Sequence, residues 1–133
     1  MLRRYANRLY QVKEGLQEPT HDRYALTTES ALAIEGGVRV RLSEEPGKGV
    51  KPGTQAEIRF GCRDQRCRLL GASVSRSLKR QFQELRIPPW LRDYVPLLFV
   101  DGDLAAIADI AVIAGHEVRE AEVGWQLDWE LPR

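Results

Sequence analysis

The stretch from Val95 to Ile113 is almost continuously apolar, interrupted by Pro96, by an Asp101-Gly102 pair and by Asp103 and Asp109. Asp-Gly between two apolar runs signals a two-residue hairpin turn, because both central residues of such a turn need positive φ. Strands with one wet face alternate apolar and polar residues; runs without alternation predict strands covered on both faces. A chain containing this hairpin must therefore supply one layer above it and another below. At 133 residues and 15.1 kDa it can do so as one domain with a real core, but not as two large ones.

The segments upstream supply candidates for those layers. Leu2–Val12 mixes aromatic and basic residues, with Arg8–Val12 strand-like, and Lys13–Thr28 reads as a polar, turn-rich connector. Ala31–Glu35, Gly36-Gly37 and Val38–Leu42 predict a second hairpin, whose returning strand alternates Val38, Val40 and Leu42 with Arg39 and Arg41. Glu44–Gly53 reads as a loop, and its glycines form no phosphate cradle because no Lys-Ser/Thr pair follows. Gln55–Phe60 alternates as a half-buried strand, with Arg66–Leu70 returning as its partner.

A helix is predicted over Arg76–Arg86, capped by Ser75 or Ser77. Leu78, Phe82 and Leu85 form its apolar stripe, while Arg76, Lys79, Arg80, Gln83 and Arg86 fall on the opposite side. Pro88-Pro89 stops the helix, since neither proline can donate a hydrogen bond and Ile87 is driven out of the α region. Trp90 then reads as a plug for the core beneath the helix, with stacking on a base as the competing use. After the apolar hairpin, Val118–Val123 predicts an acidic exposed edge, and Trp125, Leu127 and Trp129 a closing strand.

A net charge of +1 conceals strong polarity along the chain. Residues 59–92 carry nine basic groups against two acids, whereas residues 93–133 carry nine acids against Arg119 and Arg133. One basic segment in a near-neutral chain suits a one-faced binder of polyanions. The competing reading is that the two blocks neutralise each other across adjacent strands.

Catalytic signals are weak. Asp101 and Asp103 flank a glycine as a hairpin turn requires, and no serine stands in a nucleophile elbow. Cys62 and Cys67 could join a metal site only with His21 or His116, without paired spacing, and two cysteines are too few for a secreted disulfide scaffold. No run is long and apolar enough to span a bilayer and no signal peptide opens the chain, so a cytoplasmic binding domain is expected rather than a membrane protein or an enzyme.

The stretch Ser75–Ala108 resembles the C-terminal domain of bacterial tRNA(Ile)-lysidine synthetases. The residues that carry the likeness are Leu78-Lys79-Arg80, Phe82-Gln83-Glu84, Ile87-Pro88-Pro89-Trp90-Leu91-Arg92-Asp93, Pro96-Leu97, Gly102-Asp103-Leu104 and Ala106-Ile107-Ala108. The Ala56–Phe60 strand and the terminal Gly124-Trp125 to Trp129 run also look like the family, and the opening resembles its interdomain connector. Asp109 departs from the pattern, where glycine is usual, so the second hairpin strand is expected to bend differently. The acidic segment Glu117–Glu122 matches no part of the pattern.

The resemblance implies an α+β fold of layered, mostly antiparallel β-sheets with one main basic amphipathic helix, similar to a domain of the phenylalanyl-tRNA synthetase beta subunit. Residues 1–28 would be a connector with a first strand, and 29–133 a single tRNA-binding domain. It further implies contact with the acceptor stem of an isoleucine tRNA, while a catalytic domain absent from this chain uses ATP and magnesium to ligate lysine to the anticodon cytidine. This chain lacks the family's Ser-Gly-Gly-x-Asp-Ser loop, so it is expected to be a fragment that holds no cofactor and cannot ligate alone. Partners implied are tRNA, other domains of the parent enzyme and a second parent molecule as a homodimer. The candidate tRNA-binding residues are Arg76, Lys79, Arg80, Gln83 and Arg86, joined by Arg66, Arg68 and Arg92; an interdomain docking module is the alternative.

Overall fold

The computed structural model describes residues 2–5, 8–11, 23–28, 31–33, 37–62 and 64–131, the first two segments as backbone. The predicted apolar hairpin is its centre. Strands β9 (Leu97–Val100) and β10 (Asp103–Ile107) pair antiparallel across Asp101 and Gly102, whose φ values of 50° and 89° are those of a mirror-image turn. All four residues of β9 are buried, as are Leu104–Ile107 of β10.

This hairpin lies inside a five-stranded antiparallel sheet of order β11-β10-β9-β6-β3. Strand β6 (Ala56–Arg59) pairs with β9 on one side and with β3 (Arg23–Leu26) on the other. The presence of β3 corrects the reading of Lys13–Thr28 as connector throughout; four residues within it complete a sheet edge. The expected partner of β6, Arg66–Leu70, pairs elsewhere. Its first two residues are β7 (Arg66–Cys67), which joins β8 (Arg76–Ser77) in a two-stranded ribbon.

The second apolar run is broken. Ala108 has φ 46°, and the chain reverses over Ala108–Ile110 so that β11 (Ala111–Val112) folds back on β10. The bend falls beside Asp109, where the second hairpin strand is expected to bend differently.

A three-stranded sheet of order β12-β5-β4 supplies one covering layer. Strand β5 (Arg39–Pro46) pairs along its whole length with β12 (Val123–Glu130), and β4 (Leu32–Ala33) pairs with Arg39 and Val40. Glu44, Glu45 and Pro46 therefore belong to a strand and not to the expected loop. Val38, Val40 and Leu42 are buried while Arg39 and Arg41 are exposed, as their alternation requires. The turn residue Gly36 of that hairpin lies outside the described residues, as do His21 and Arg63.

The loop after β5 crosses β12 closely: Val50 exchanges both backbone hydrogen bonds with Trp125 at 2.8 and 2.9 Å. Gly49 is required there, because a Cβ would collide with the Trp125 carbonyl and its φ is 80°. Leu98 and Ala106 of the five-stranded sheet face Trp125 and Leu127 of the three-stranded one across a cavity of about 100 Å³. On the opposite face of the hairpin, Leu97 and Phe99 are 0% and 2% exposed, so that side is covered as well. Leu78, Phe82, Ile87 and Leu91, from the helix and the segment after it, belong to the same core cluster.

Segment Val118–Glu122 is a turn, with the Glu122 N–H donating to the Arg119 carbonyl at 2.9 Å, and not the expected edge strand. A separate hairpin pairs β1 (Leu2–Tyr5) with β2 (Arg8–Gln11). Among the described residues no helix is long and apolar enough to cross a membrane.

Candidate nucleic-acid interface

Helix α1 (Leu78–Glu84) is shorter than its sequence pattern. Arg76 and Ser77 are held in β8 by pairing with Cys67 and Arg66, so helical geometry begins only at Leu78. Ser77 is the N-cap: its Oγ accepts from the Arg80 N–H at 3.3 Å. Leu78 and Phe82 are buried as the apolar stripe predicts, and Leu85 is half-buried.

A third residue faces inward that the stripe did not include. Gln81 is 2% exposed, and its Nε2 donates to the Cys67 carbonyl at 2.9 Å, clipping the helix to β7. An interior glutamine between two apolar positions gives no sequence signal until its acceptor is known. Burial pushes the Cys67 thiol above its ordinary pKa, against a smaller opposing effect from Gln81. Both cysteines are free thiols.

The helix ends on Arg86. The Ile87 N–H donates to the Phe82 carbonyl at 3.0 Å and the Arg86 N–H to the Gln83 carbonyl at 3.1 Å, the paired bonds of a Schellman termination. That motif places Arg86 in the left-handed region, at φ 59°, where glycine is the usual occupant. Buried Ile87 anchors the exit, and the 3-10 turn Pro89–Tyr94 follows.

The candidate residues divide into three groups. Lys79, Arg80, Gln83 and Arg86 are exposed and come from the outer side and end of α1. Arg76 reaches the same helix from β8, and both it and Arg80 hold Glu84, at 3.1 and 3.6 Å. Glu84 thus offsets part of the positive field, a cost the residue pattern did not reveal. Arg66 and Arg68 are exposed but turned toward the loop joining β7 to β8, where they donate to the Ser75 and Ala72 carbonyls at 2.9 and 2.8 Å. Arg92 is half-buried, with Nε donating to the Ile87 carbonyl at 2.9 Å, which makes it a brace for the Pro88-Pro89 segment.

Trp90 contradicts its expected role. It is 46% exposed, while Leu91 beside it is 1% exposed and fills the core instead. In a 3-10 turn neighbouring side chains project about 120° apart, so burying Leu91 turns Trp90 outward.

The two charge blocks offset each other in part, through Arg68 of the basic block and Glu117 of the acidic one. The ion pairs made by Arg59, Arg76 and Arg80 go to Glu57 and Glu84, not to the acidic C-terminal segment. Arg59 also lies 4.0 Å from the Phe99 ring centre, a contact that consumes its cation in the sheet. Cross-strand neutralisation does occur on the three-stranded sheet, where Arg39 meets Glu130 at 3.9 Å. In the acidic segment, Glu117 accepts from the Gly115 N–H at 2.7 Å; hydrogen bonds from its own amide and from Gly115 hold its carboxyl below the usual range, with smaller contributions from the Lys51 and Arg68 cations.

Asp101, one of the two carboxylates that flank the turn glycine, and Asp109 are each engaged by hydrogen bonds of their own. Asp101 accepts from the Thr54 N–H at 2.9 Å and the Gln55 N–H at 2.7 Å. Asp109 accepts from the Trp129 indole at 3.0 Å. What the surface around α1 can do chemically is attract and orient an anion.

Three comparisons bear on this geometry. The family described as the TilS substrate C-terminal domain matches residues 56–129. Among curated relatives, the tRNA(Ile)-lysidine synthase of Yersinia pseudotuberculosis is 35% identical over 96 residues, covering 70% of this chain and 21% of the relative. That of Serratia proteamaculans is 37% identical over 95 residues, 71% of this chain and 20% of the relative. The chain therefore spans about a fifth of the length of the relatives it matches. A solved structure described as the crystal structure of the TilS C-terminal domain superposes with a TM-score of 0.59 at 18% identity, over 84% of this chain and 98% of that one. The match extends the likeness beyond the Pro-Pro-Trp stretch to the sheets on either side of it, and this chain belongs to the TilS substrate C-terminal domain family.

Proposed function

We propose that this chain is the tRNA-binding C-terminal domain of a tRNA(Ile)-lysidine synthetase. In this reading it meets the acceptor-stem region of the tRNA while a separate catalytic domain, using ATP and magnesium, ligates lysine to the anticodon cytidine in the cytoplasm. The observation that carries it is the outer side of α1, where Lys79, Arg80 and Gln83 stand exposed and Arg86 follows directly. Arg76 strengthens that surface from β8. Arg66, Arg68 and Arg92 keep further N–H groups beyond those given to backbone carbonyls, and contribute mainly by fixing the surrounding loops.

Phosphate contacts of this kind release counterions, so affinity should fall linearly with log salt, by about 0.7–0.9 in slope per contact. Discrimination on a stem would come from helix shape and 2′-hydroxyl contacts rather than base edges. The test is Lys79→Glu with Arg80→Glu in a gel-shift salt series with tRNA. The double variant should bind far more weakly with an unchanged circular dichroism spectrum; binding equal to the unaltered chain at physiological salt would reject the helix assignment.

A second reading, docking against another domain or protein, has one observation in its favour. Leu70 and Val74 are 53% and 48% exposed in the loop joining β7 to β8, the loop that Arg66 and Arg68 brace. Leu70→Ser with Val74→Ser separates the readings, since it should leave tRNA binding intact if α1 is the RNA surface.

A further inference from the structure

Trp90 is 46% exposed, whereas Trp129 is 5% exposed and Trp125 is half-buried against the core. Its exposure is not looseness. Pro88 and Pro89 fix two successive φ angles, the Leu91 N–H donates to the Pro88 carbonyl at 2.9 Å, and Arg92 reaches back to the Ile87 carbonyl. Ile87 and Leu91, on either side of the segment, are each 1% exposed. The indole thus stands on backbone anchored at both ends, so little ordering remains to oppose a ligand that lies against it.

The surroundings indicate which ligand. Arg86, four residues earlier, is exposed and kept at φ 59°, a position where glycine would cost nothing. Lys79, Gln83 and Arg80 are exposed on the helix leading to it. Among the described residues, the other strongly exposed large apolar side chains, Leu70, Val74 and Val123, belong to other elements, so the 3-10 turn itself presents no apolar stripe of the kind a protein partner covers. An exposed indole a few residues along the chain from exposed cations is the combination that single-stranded nucleic acid uses, base on ring and phosphate on charge.

We propose that Trp90 is a stacking platform for one unpaired nucleobase at an end of an RNA duplex, with Arg86 and Lys79 engaging the adjoining phosphates. The proposal rests on the RNA-binding reading above and names the group recognised at one end of that surface.

The test uses the 133-residue chain, its Trp90→Ala and Trp90→Phe variants, and the Lys79→Glu, Arg80→Glu double variant. Each is titrated with one RNA duplex made either blunt or with a short single-stranded 3′ overhang. Trp90→Ala should weaken binding of the overhang RNA roughly tenfold and of the blunt RNA by less than about twofold, with Trp90→Phe recovering most of the loss. Indole fluorescence should be quenched by the overhang RNA in the unaltered chain and not in Trp90→Phe, where Trp125 and Trp129 remain as internal references. Equal binding of the overhang RNA by Trp90→Ala, or equal weakening of both RNAs, would overturn the proposal while leaving the α1 surface standing. Loss of self-association in Trp90→Ala with RNA binding intact would assign the indole to a protein contact and overturn it too. Failure of the unaltered chain to bind either RNA would remove the RNA reading and the stacking together.

Discussion

The indole Nε1 of Trp129 donates to Oδ1 of Asp109 at 3.0 Å, joining the closing strand of the three-stranded sheet to the reversal after β10. Asp109 supplies a carboxylate acceptor at the reversal that a glycine there would lack. Trp129 is 5% exposed, so its N–H has little access to water and gains from a charged acceptor within the protein.

Asp109→Ala should therefore destabilise the fold by about 1–2 kcal/mol. Asp109→Asn, which keeps an acceptor oxygen, should lose less. Urea denaturation checks both, with the midpoint falling and the m-value unchanged. An Asp109→Ala midpoint equal to the unaltered chain's would mean that this bond adds nothing to the joining of the sheets.

The turn of the central hairpin carries a pH signature. Asp101 takes N–H bonds from Thr54 and then Gln55, which hold its carboxyl below the ordinary value. A depressed folded pKa means the stabilisation is fully present above the unfolded carboxylate value, about 3.9, and is lost as pH falls through the folded value. Asp101→Asn should thus be less stable than the unaltered chain from pH 7 down to about pH 5, with the gap closing under stronger acid. Amide shifts of Thr54 and Gln55 should titrate with the same midpoint. A stability gap that persists undiminished at pH 2 would show that ionisation of Asp101 is irrelevant to the turn.

Much of the architecture was legible in the residues, and the reason is local. Unbroken apolar runs around Asp101-Gly102 and the alternation of Val38, Val40 and Leu42 each specify a strand without reference to distant partners. What was hidden depends on pairing far along the chain. Arg76 and Ser77 have helical spacing yet are taken by β7, and the short edge Arg23–Leu26 exists only because β6 offers it a ladder. At the candidate interface the residue types were readable but their commitments were not. Arg66, Arg68 and Arg92 spend donors on carbonyls, and Glu84 sits between two arginines that composition counted as available. Trp90 misled for a geometric reason: burying Leu91 in a 3-10 turn forces its neighbour outward.

Glu84 gives the cheapest way to strengthen the interface. Its pairs with Arg76 and Arg80 are solvent-exposed, so Glu84→Gln should change stability by no more than about 0.5 kcal/mol. The two guanidinium groups then lose a competing anion. On the RNA-binding reading, tRNA affinity should rise about two- to fivefold at about 0.1 M salt and its dependence on salt should steepen. Isothermal titration in a salt series reads both quantities. Weaker binding by Glu84→Gln would mean that the carboxylate positions Arg76 and Arg80 rather than masking them.

Arg86 sets stability against binding within a single residue. Its backbone, at φ 59°, sits where an L side chain is strained by about 1 kcal/mol and glycine is not. Arg86→Gly relieves that strain but gives the unfolded chain more freedom, so the net gain should be about 0.5 kcal/mol, a rise of a few degrees in Tm. The same substitution removes an exposed cation of the proposed interface and, on the RNA-binding reading, should weaken tRNA binding while lowering the salt slope by about 0.7–0.9. Arg86→Ala makes the comparison decisive, because it deletes the charge and keeps the strain: it should bind as weakly as Arg86→Gly without the rise in Tm. If Arg86→Gly gains stability and binds tRNA as well as the unaltered chain, the arginine is not retained for RNA; if it loses stability, the left-handed termination is not strained by its side chain.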